Sequence, residues 1–594
     1  MKRNRIHAAC LGLALFSFVA GAATEREYIW PDGKMPDAQP HQIGATTAEA
    51  RTKGFQPDNF RRPYLDWFDP PAAEGRTDAC MILISGGGYN NCCDVGLVEQ
   101  WRRKLTAIGV RCVSLTYRTP RPNGLPFYRS AWEDRQRAVR VVRAQAQKRG
   151  FNPEKIGTVS MSAGSHLATL LATSSQTPAY AAVDELDALP CHINLAVTCA
   201  IAYGLTDGLG TPNARDGDAI DVKLDSLFRF DAKTCPMCMF HGGLDIYSSI
   251  ASTEVYRQLR RMKIPAELHL FADRHHGFFG ADGKGDAATG YDNWFGRAEE
   301  FLRQRGFLGA TGPEVEFSSR FSDAFTLSRE RQDLWPEGAV PDVQPNQTVK
   351  PFLEWFLPKE RKAGAIQIIF PGGAYQHCSY EKEGVDIARY FNSKGLTAVV
   401  VVYRTPRPLA PFAKHTSAWQ DAQRAIRMVR KAAPSRGLDP ERIGAMGFSA
   451  GGHLTLMVAT SSQKRAYWPK DEIDKVPCHL NWACPVYPAY ALTDGAESPN
   501  AKGGNENESV PVREFSFDLK TPPMCFLHGD ADGWAAMNSV KVWERLRRMG
   551  IQSDLHTFSN RGHCFHFKAA PGTASYTCFD RIVEFLNHKR FLAK

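Results

Sequence analysis

The chain has 594 residues, 43% hydrophobic and 23% charged, with a formal net charge of +10. That length exceeds what one hydrophobic core supports, so at least two domains are expected. The positive balance is too mild to point to nucleic acid, and no apolar run reaches the roughly 20 residues needed to span a bilayer, so no membrane anchor is expected.

Residues 1–22 read as a signal peptide: a basic start (MKRNR), an apolar stretch (AACLGLALFSFVA), then small residues at Ala20-Gly21-Ala22 that suit a signal peptidase. Cleavage near Ala22 predicts a secreted or periplasmic protein. The cysteines beyond Cys10 would then face an oxidising compartment, where some can pair. Cys235-Pro-Met-Cys238 has the spacing of a redox or metal pair, but it lies in a strand-like run with no second pair nearby and is read as structural.

Beyond the leader, the chain repeats itself once. "YRTPRP" occurs at 117–122 and 403–408, "SAWEDRQRAVRVVR" from Ser130 answers "SAWQDAQRAIRMVR" from Ser417, and the offset holds at 287 residues from Ser130 to His276. Two copies of one fold follow: residues 23–308, a linker at 309–325 containing GATGPEVEFSSRFSD, and residues 326–594. In the second copy, short apolar runs (AIQIIF, LTAVVVVY, RIGAMGF, PPMCFLHG, SDLHTF) alternate with amphipathic ones (EGVDIARYFNSKG, AWQDAQRAIRMVRKAA, GGHLTLMVATSS, NSVKVWERLRRMG, CFDRIVEFLNHKRFL). This alternation predicts an α/β fold class, with each copy a mostly parallel sheet with helices on both faces and its site at the carboxyl ends of the strands.

The chemistry is therefore sought in the turns after the strands. Gly447-Phe448-Ser449-Ala450-Gly451 follows RIGAM as a strand-to-helix elbow that lifts a serine hydroxyl above the sheet. Asp532 follows PPMCFLHG and His563 follows SDLHTF, in the order Ser, Asp, His; Ser162, Asp245 and His276 repeat the set in the first copy. Each element alone has a bland reading, as a turn, a helix cap or a core histidine. Together they predict two Ser-His-Asp triads. The first elbow, "GTVSMSAGSHL", departs from the second, "GAMGFSAGGHL", with Ser160 for Gly447 and Ser165 for Gly452. Oxyanion-hole amides are expected at Ala450 with Gly373 and Ala374, and at Ala163 with Gly87 and Gly88. Asp134, Asp421, His166 and His453 are read as structural.

With "PGGAY", "VYRTP", "GFSAGGHL", "HGDAD" and "GHCF" in place, each copy resembles the α/β-hydrolase esterases, in particular the secreted acetylxylan-esterase and bacterial feruloyl-esterase-like group. The resemblance implies two tandem α/β-hydrolase domains, serine acyl transfer with Ser449, Asp532 and His563 as nucleophile, orienting acid and general base, matching roles for Ser162, Asp245 and His276, and no cofactor or metal. The segment after the nucleophile helix is polar in both copies (LTDGLGTPNARDG and LTDGAESPNAKGG), which favours a sugar ester over a lipid. Asp207, Asn213, Asp494 and Asn500 are candidate sugar contacts as well as turn formers, alongside Tyr89 and Tyr375 of the glycine loops. The expected partner is an acylated carbohydrate. Two other readings stand beside it: another serine hydrolase, such as a prolyl-oligopeptidase-like peptidase or general carboxylesterase, and a carbohydrate-binding scaffold in one copy, the first by preference.

Overall fold

The computed structural model describes residues 25–42, 62–71, 75–92, 95–206, 223–276, 294–310, 312–321, 329–493, 509–571, 573 and 575–592. The expected signal peptide lies outside them. Sixteen strands form one sheet. In the first half these are β1 (Glu25–Tyr28), β2 (Tyr64–Phe68), β3 (Cys80–Ile84), β4 (Arg111–Thr116), β5 (Ile156–Ser162), β6 (Leu195–Ile201), β7 (Met237–Gly242) and β8 (Ala266–Phe271). In the second they are β9 (Arg329–Asp333), β10 (Phe352–Phe356), β11 (Ile366–Phe370), β12 (Thr397–Val402), β13 (Ile443–Phe448), β14 (Trp482–Val486), β15 (Cys525–Gly529) and β16 (Asp554–Phe558).

The spatial order is β1-β2-β4-β3-β5-β6-β7-β8, then β16-β15-β14-β13-β11-β12-β10-β9, so the second half mirrors the first. Within each half the six inner strands run parallel, and the two outermost pair antiparallel. β-branched content with burial on both faces explains the inner strands: β12 is TAVVVV, buried throughout. The helices α1 (Val95–Ala107), α2 (Arg129–Ala144), α3 (Ala163–Ser174), α4 (Ile250–Arg261) and α5 (Trp294–Gln304) cover the first half. Their counterparts α6 (Asp386–Ser393), α7 (Thr416–Ala432), α8 (Ala450–Thr460), α9 (Met537–Arg548) and α10 (Asp580–His588) cover the second.

The repeated motifs are buried polar joints. Arg118 of "YRTPRP" and Trp30 converge on Asp134, whose carboxylate accepts from Trp30 Nε1 at 2.7 Å and from the Arg118 amide at 2.8 Å. Trp335, Arg404 and Asp421 repeat the joint at 2.7 and 2.7 Å. Asp134 and Asp421 are thus structural, as expected. Cys235 and Cys238 are buried free thiols. Part of the expected linker lies against the second half: Val315–Glu316 pairs antiparallel with Lys568–Ala569, and Phe317 is buried against Phe579.

β8 and β16 pair antiparallel and make the two half-sheets continuous, with His269 opposite His556. Residues 287 apart in the chain meet here: His269 and His556 approach at 3.3 Å between Nδ1 atoms, Arg297 reaches Glu584 at 3.1 Å, and Arg257 bonds Glu544. This is the contact pattern of a two-fold axis, drawn within one chain.

Candidate active site

Both elbows form as the sequence predicts. Ser162 ends β5 and opens α3 at φ 56°, ψ −121°, and Ser449 stands between β13 and α8 at φ 53°, ψ −117°. Such strain in a non-glycine residue is retained where it aims a side chain. The small residue two positions on is required by contact: a Cβ on Gly164 would lie 2.4 Å from the Ser85 carbonyl oxygen, and one on Gly451 2.1 Å from that of Phe370.

The two serines at which the first elbow departs from glycine bond to each other. Ser160 Oγ and Ser165 Oγ are 3.2 Å apart, and the β6 carbonyls of Val197 and Cys199 lie 3.1 Å from Ser160 Oγ and 2.9 Å from Ser165 Oγ, so two hydroxyl protons are shared among these three contacts. The ladder to β6 slips by one residue at Met161/Ser162. In the second elbow, a Cβ on Gly447 would lie 2.1 Å from Gly451 O. The pairs Ser160/Ser165 and Gly447/Gly452 are therefore two packing solutions for the same turn.

In the first copy the three expected residues meet. His276 Nδ1 donates to Asp245, 2.9 Å from each carboxylate oxygen, which leaves Nε2 to accept from Ser162 Oγ at 2.9 Å. Asp245 is fixed by the Tyr247 amide at 2.8 Å and its side chain is wholly buried, while that of His276 is 22% exposed, so the imidazole faces the cleft. In the second copy His563 Nδ1 donates to Asp532 at 2.7 Å, and the Trp534 amide holds Asp532 at 2.8 Å. Ser449 stands beside them, but no hydrogen bond joins it to His563 among the described residues. The His563 ring packs instead against Tyr487, centroids 4.7 Å apart. Tyr487 donates to Glu383 at 2.8 Å, and Glu383 accepts the Gly372 amide at 2.9 Å. Burial pushes the Glu383 carboxyl above its ordinary range, against the pull of these donors and of His563.

The glycine loops lie against the serines. A Cβ on Gly86 would be 2.9 Å from Ser162 Cβ, and one on Gly372 3.1 Å from Ser449 Cβ. Gly87 and Gly88 have φ 116° and 61°, and Gly373 and Ala374 have φ 126° and 55°, so Ala374 bears a left-handed conformation costing about 1–2 kcal/mol. Among the described residues, no backbone acceptor takes the amides of Gly87, Gly88 and Ala163, or of Gly373, Ala374 and Ala450.

Tyr89 and Tyr375, expected as substrate contacts, are 1% exposed each. Their hydroxyls bond to His166 Nδ1 at 2.7 Å and His453 Nδ1 at 2.8 Å. The side chains point inward and brace the loops, so contact with substrate is corrected to a supporting role, and His166 and His453 are structural as expected. Burial pushes the His166 imidazole down to about 3, so the ring is neutral. Asp207, Asn213, Asp494 and Asn500 lie outside the described residues.

Sequence reasoning missed Arg121, Tyr203 and Tyr247. Arg121 donates to Gly88 O at 3.0 Å and to the Tyr203 hydroxyl at 2.9 Å, Tyr247 donates to Tyr203 at 3.1 Å, and the Tyr247 ring lies 5.1 Å from that of His276. The signal was present in "YRTPRP", whose second arginine is Arg121.

Two buried groups carry metal-ligand chemistry, Cys238 with Glu267 and His269, and Cys525 with Asp554 and His556, each with ligand-type atoms within 4.8 Å of one another. Both sit at the sheet junction, near the starts of β7, β8, β15 and β16 and at the opposite end from the serines. The Arg297 guanidinium, 3.4 Å from His556 Nδ1, sets positive charge against them.

The model of the BD-FAE family matches residues 65–227 and 353–546. An acetylxylan esterase of Xylanibacter ruminicola is 27% identical over 221 residues, 36% of this chain and 43% of that protein. An endo-1,4-beta-xylanase B of Butyrivibrio fibrisolvens is 32% identical over 128 residues, 22% of this chain and 20% of that protein. The chain thus spans less than half the length of these relatives. Among solved structures, an acetyl ester-xyloside bifunctional hydrolase from Caldicellulosiruptor lactoaceticus is 27% identical with a TM-score of 0.35, covering 44% of this chain and 95% of its own. MGS-M1, an alpha/beta hydrolase from a deep-sea metagenome library, is 22% identical with a TM-score of 0.34, covering 45% of this chain and 99% of its own.

Proposed function

The chain belongs to the BD-FAE family, and from that premise we propose that it is a secreted serine esterase that removes acyl groups, acetyl first and feruloyl second, from a plant- or algal-type polysaccharide or its oligosaccharides. The observation that carries this reading is the relay from Ser162 through His276 to Asp245, with its serine–histidine contact of 2.9 Å beside unclaimed loop amides. Ser162 attacks the ester carbonyl as His276 takes the hydroxyl proton. The oxyanion forms against the amides of Gly87, Gly88 and Ala163, and the sugar alcohol leaves with the proton from His276. Water then enters, gives its proton to His276 and attacks the acyl-serine; carboxylic acid is released and Ser162 regains its proton. Asp245 holds the imidazole tautomer throughout. The second copy runs the same cycle with Ser449, His563 and Asp532, once the serine–histidine contact closes on substrate.

The reading takes residues 1–22 as a cleaved export signal and places one hydrolase unit in 23–308 and another in 326–594, joined through 309–325. Among the described residues no helix is long and apolar enough to cross a membrane. The open Ser449–His563 contact favours a second reading for that copy alone, as a carbohydrate-binding scaffold; the sequence had put this role in the first copy.

Four proteins test both readings: the parent, Ser162→Ala, Ser449→Ala and the double variant, assayed on a chromogenic acetate and on acetylated xylan. The double variant is expected to lose at least about 10³-fold in kcat, and Ser162→Ala to lose the larger share of the two single variants. Full activity in the double variant overturns the esterase reading. Full activity in Ser449→Ala on both substrates assigns the second copy to binding.

A further inference from the structure

Equivalent positions around the two clefts differ in what their cations do. In the first, Arg121 is spent on Gly88 O and the Tyr203 hydroxyl, and Phe127 packs 5.0 Å from the Tyr203 ring. In the second, Arg121 corresponds to Arg407 within the repeated "YRTPRP", and Phe127 corresponds to Lys414 immediately before the matching helix. Arg407 is exposed, and among the described residues its guanidinium has no hydrogen-bond or ion-pair partner. Lys414 is half-buried with its Nζ 4.1 Å above the Tyr490 ring, and it too has no such partner there. Tyr490 stacks on Tyr375 of the oxyanion loop at 6.1 Å and meets Trp534 at 4.7 Å, whose own amide holds Asp532. The second cleft therefore has two uncommitted cations, one of them seated on a buried aromatic cluster that is continuous with the reacting groups.

Burial and the nearby Arg407 depress the Lys414 ammonium. Glu514 acts on it in the opposite direction without forming an ion pair, and the buried His415 beside it is pushed toward its neutral form. An ammonium partly stripped of water, beside a second cation, is matched by an anionic oxygen pair. A sugar carboxylate supplies one.

Building on the esterase reading, we propose that the second cleft takes acyl esters of acidic saccharides, with a uronate carboxylate bound between Lys414 and Arg407, while the first cleft takes neutral ones. One chain then deacylates both kinds of unit along a polymer.

The test reads binding without turnover. In the full chain carrying Ser162→Ala and Ser449→Ala, titration calorimetry compares an acetylated xylo-oligosaccharide bearing a glucuronic acid branch with a neutral acetylated one of equal length. The acidic ligand is expected to bind at least about fivefold tighter, the size of one charge-assisted contact. Lys414→Phe, which installs the first copy's residue and so suits the fold, is expected to bring that ratio near one without weakening the neutral ligand, and Lys414→Arg to retain it. Equal affinities, binding of neither ligand, or a preference that survives Lys414→Phe overturns the proposal. Turnover plays no part in this readout, so an inactive parent would defeat the esterase reading while leaving the binding result to stand or fall alone.

Discussion

At the first elbow, Ser160 and Ser165 act as a unit. The two hydroxyls contact each other and the β6 backbone, with the Cys199 amide donating to Ser165 Oγ at 3.1 Å, so a turn that elsewhere needs two glycines is filled and satisfied. The second elbow has no such room, since a Cβ on Gly447 meets backbone at 2.1 Å and the Thr455 hydroxyl at 2.5 Å. Gly447→Ser alone is expected to destabilise the protein by about 2–3 kcal/mol through overpacking, measured by denaturant unfolding. Gly447→Ser with Gly452→Ser is expected to recover part of that loss, because the second hydroxyl gives the first a partner. A neutral single variant would mean that the elbow backbone shifts freely. The departure of the first elbow from the glycines of the second is, in the fold, a compensated exchange.

Among the elements, each glycine loop is braced from below by a tyrosine on a histidine of the nucleophile helix, Tyr89 on His166 and Tyr375 on His453. His166 has its folded value pushed down to about 3, against about 6.5 when unfolded. Below pH 6.5 the unfolded chain takes up a proton that folded His166 refuses, so its contribution to stability is intact above that pH and falls as pH drops toward 3. The stability advantage of the parent over His166→Asn is expected to shrink by about 1.4 kcal/mol per pH unit between pH 6 and 4, read from paired urea melts; a constant difference would show that His166 is protonated in the fold. The inner strands and the elbows were legible because apolar runs and glycine spacing are local signals. β1 (EREY) and β9 (RERQD) were not, since these polar edge strands are defined by the neighbours they pair with. The difference between the copies in the serine–histidine contact was not legible either, since it is a tertiary contact: His563 packs against Tyr487, which is tied to Glu383, whereas Ala200 holds the corresponding position in the first copy.

Across the whole molecule, the join between half-sheets places residues 287 apart face to face. In a true two-fold pair each side chain on the axis meets its own copy, and a charge there meets a like charge. Here the two copies have diverged at two such positions into opposite charges, Arg257 with Glu544 and Arg297 with Glu584. Both members of the first pair are largely buried, and burial raises the Glu544 carboxyl despite the neighbouring Arg257 and Lys541. A charge reversal at one member sets two like charges together in a low-dielectric setting, where breaking a buried pair costs about 3 kcal/mol or more. Arg257→Glu is therefore expected to lower the unfolding midpoint of the full chain, and Glu544→Arg to lower it as well, while the double exchange restores most of the loss because the pair is re-formed with its members swapped. Additive losses in the double variant would mean that each residue acts through separate neighbours and that the Arg257–Glu544 pair does not itself hold the edge-to-edge join.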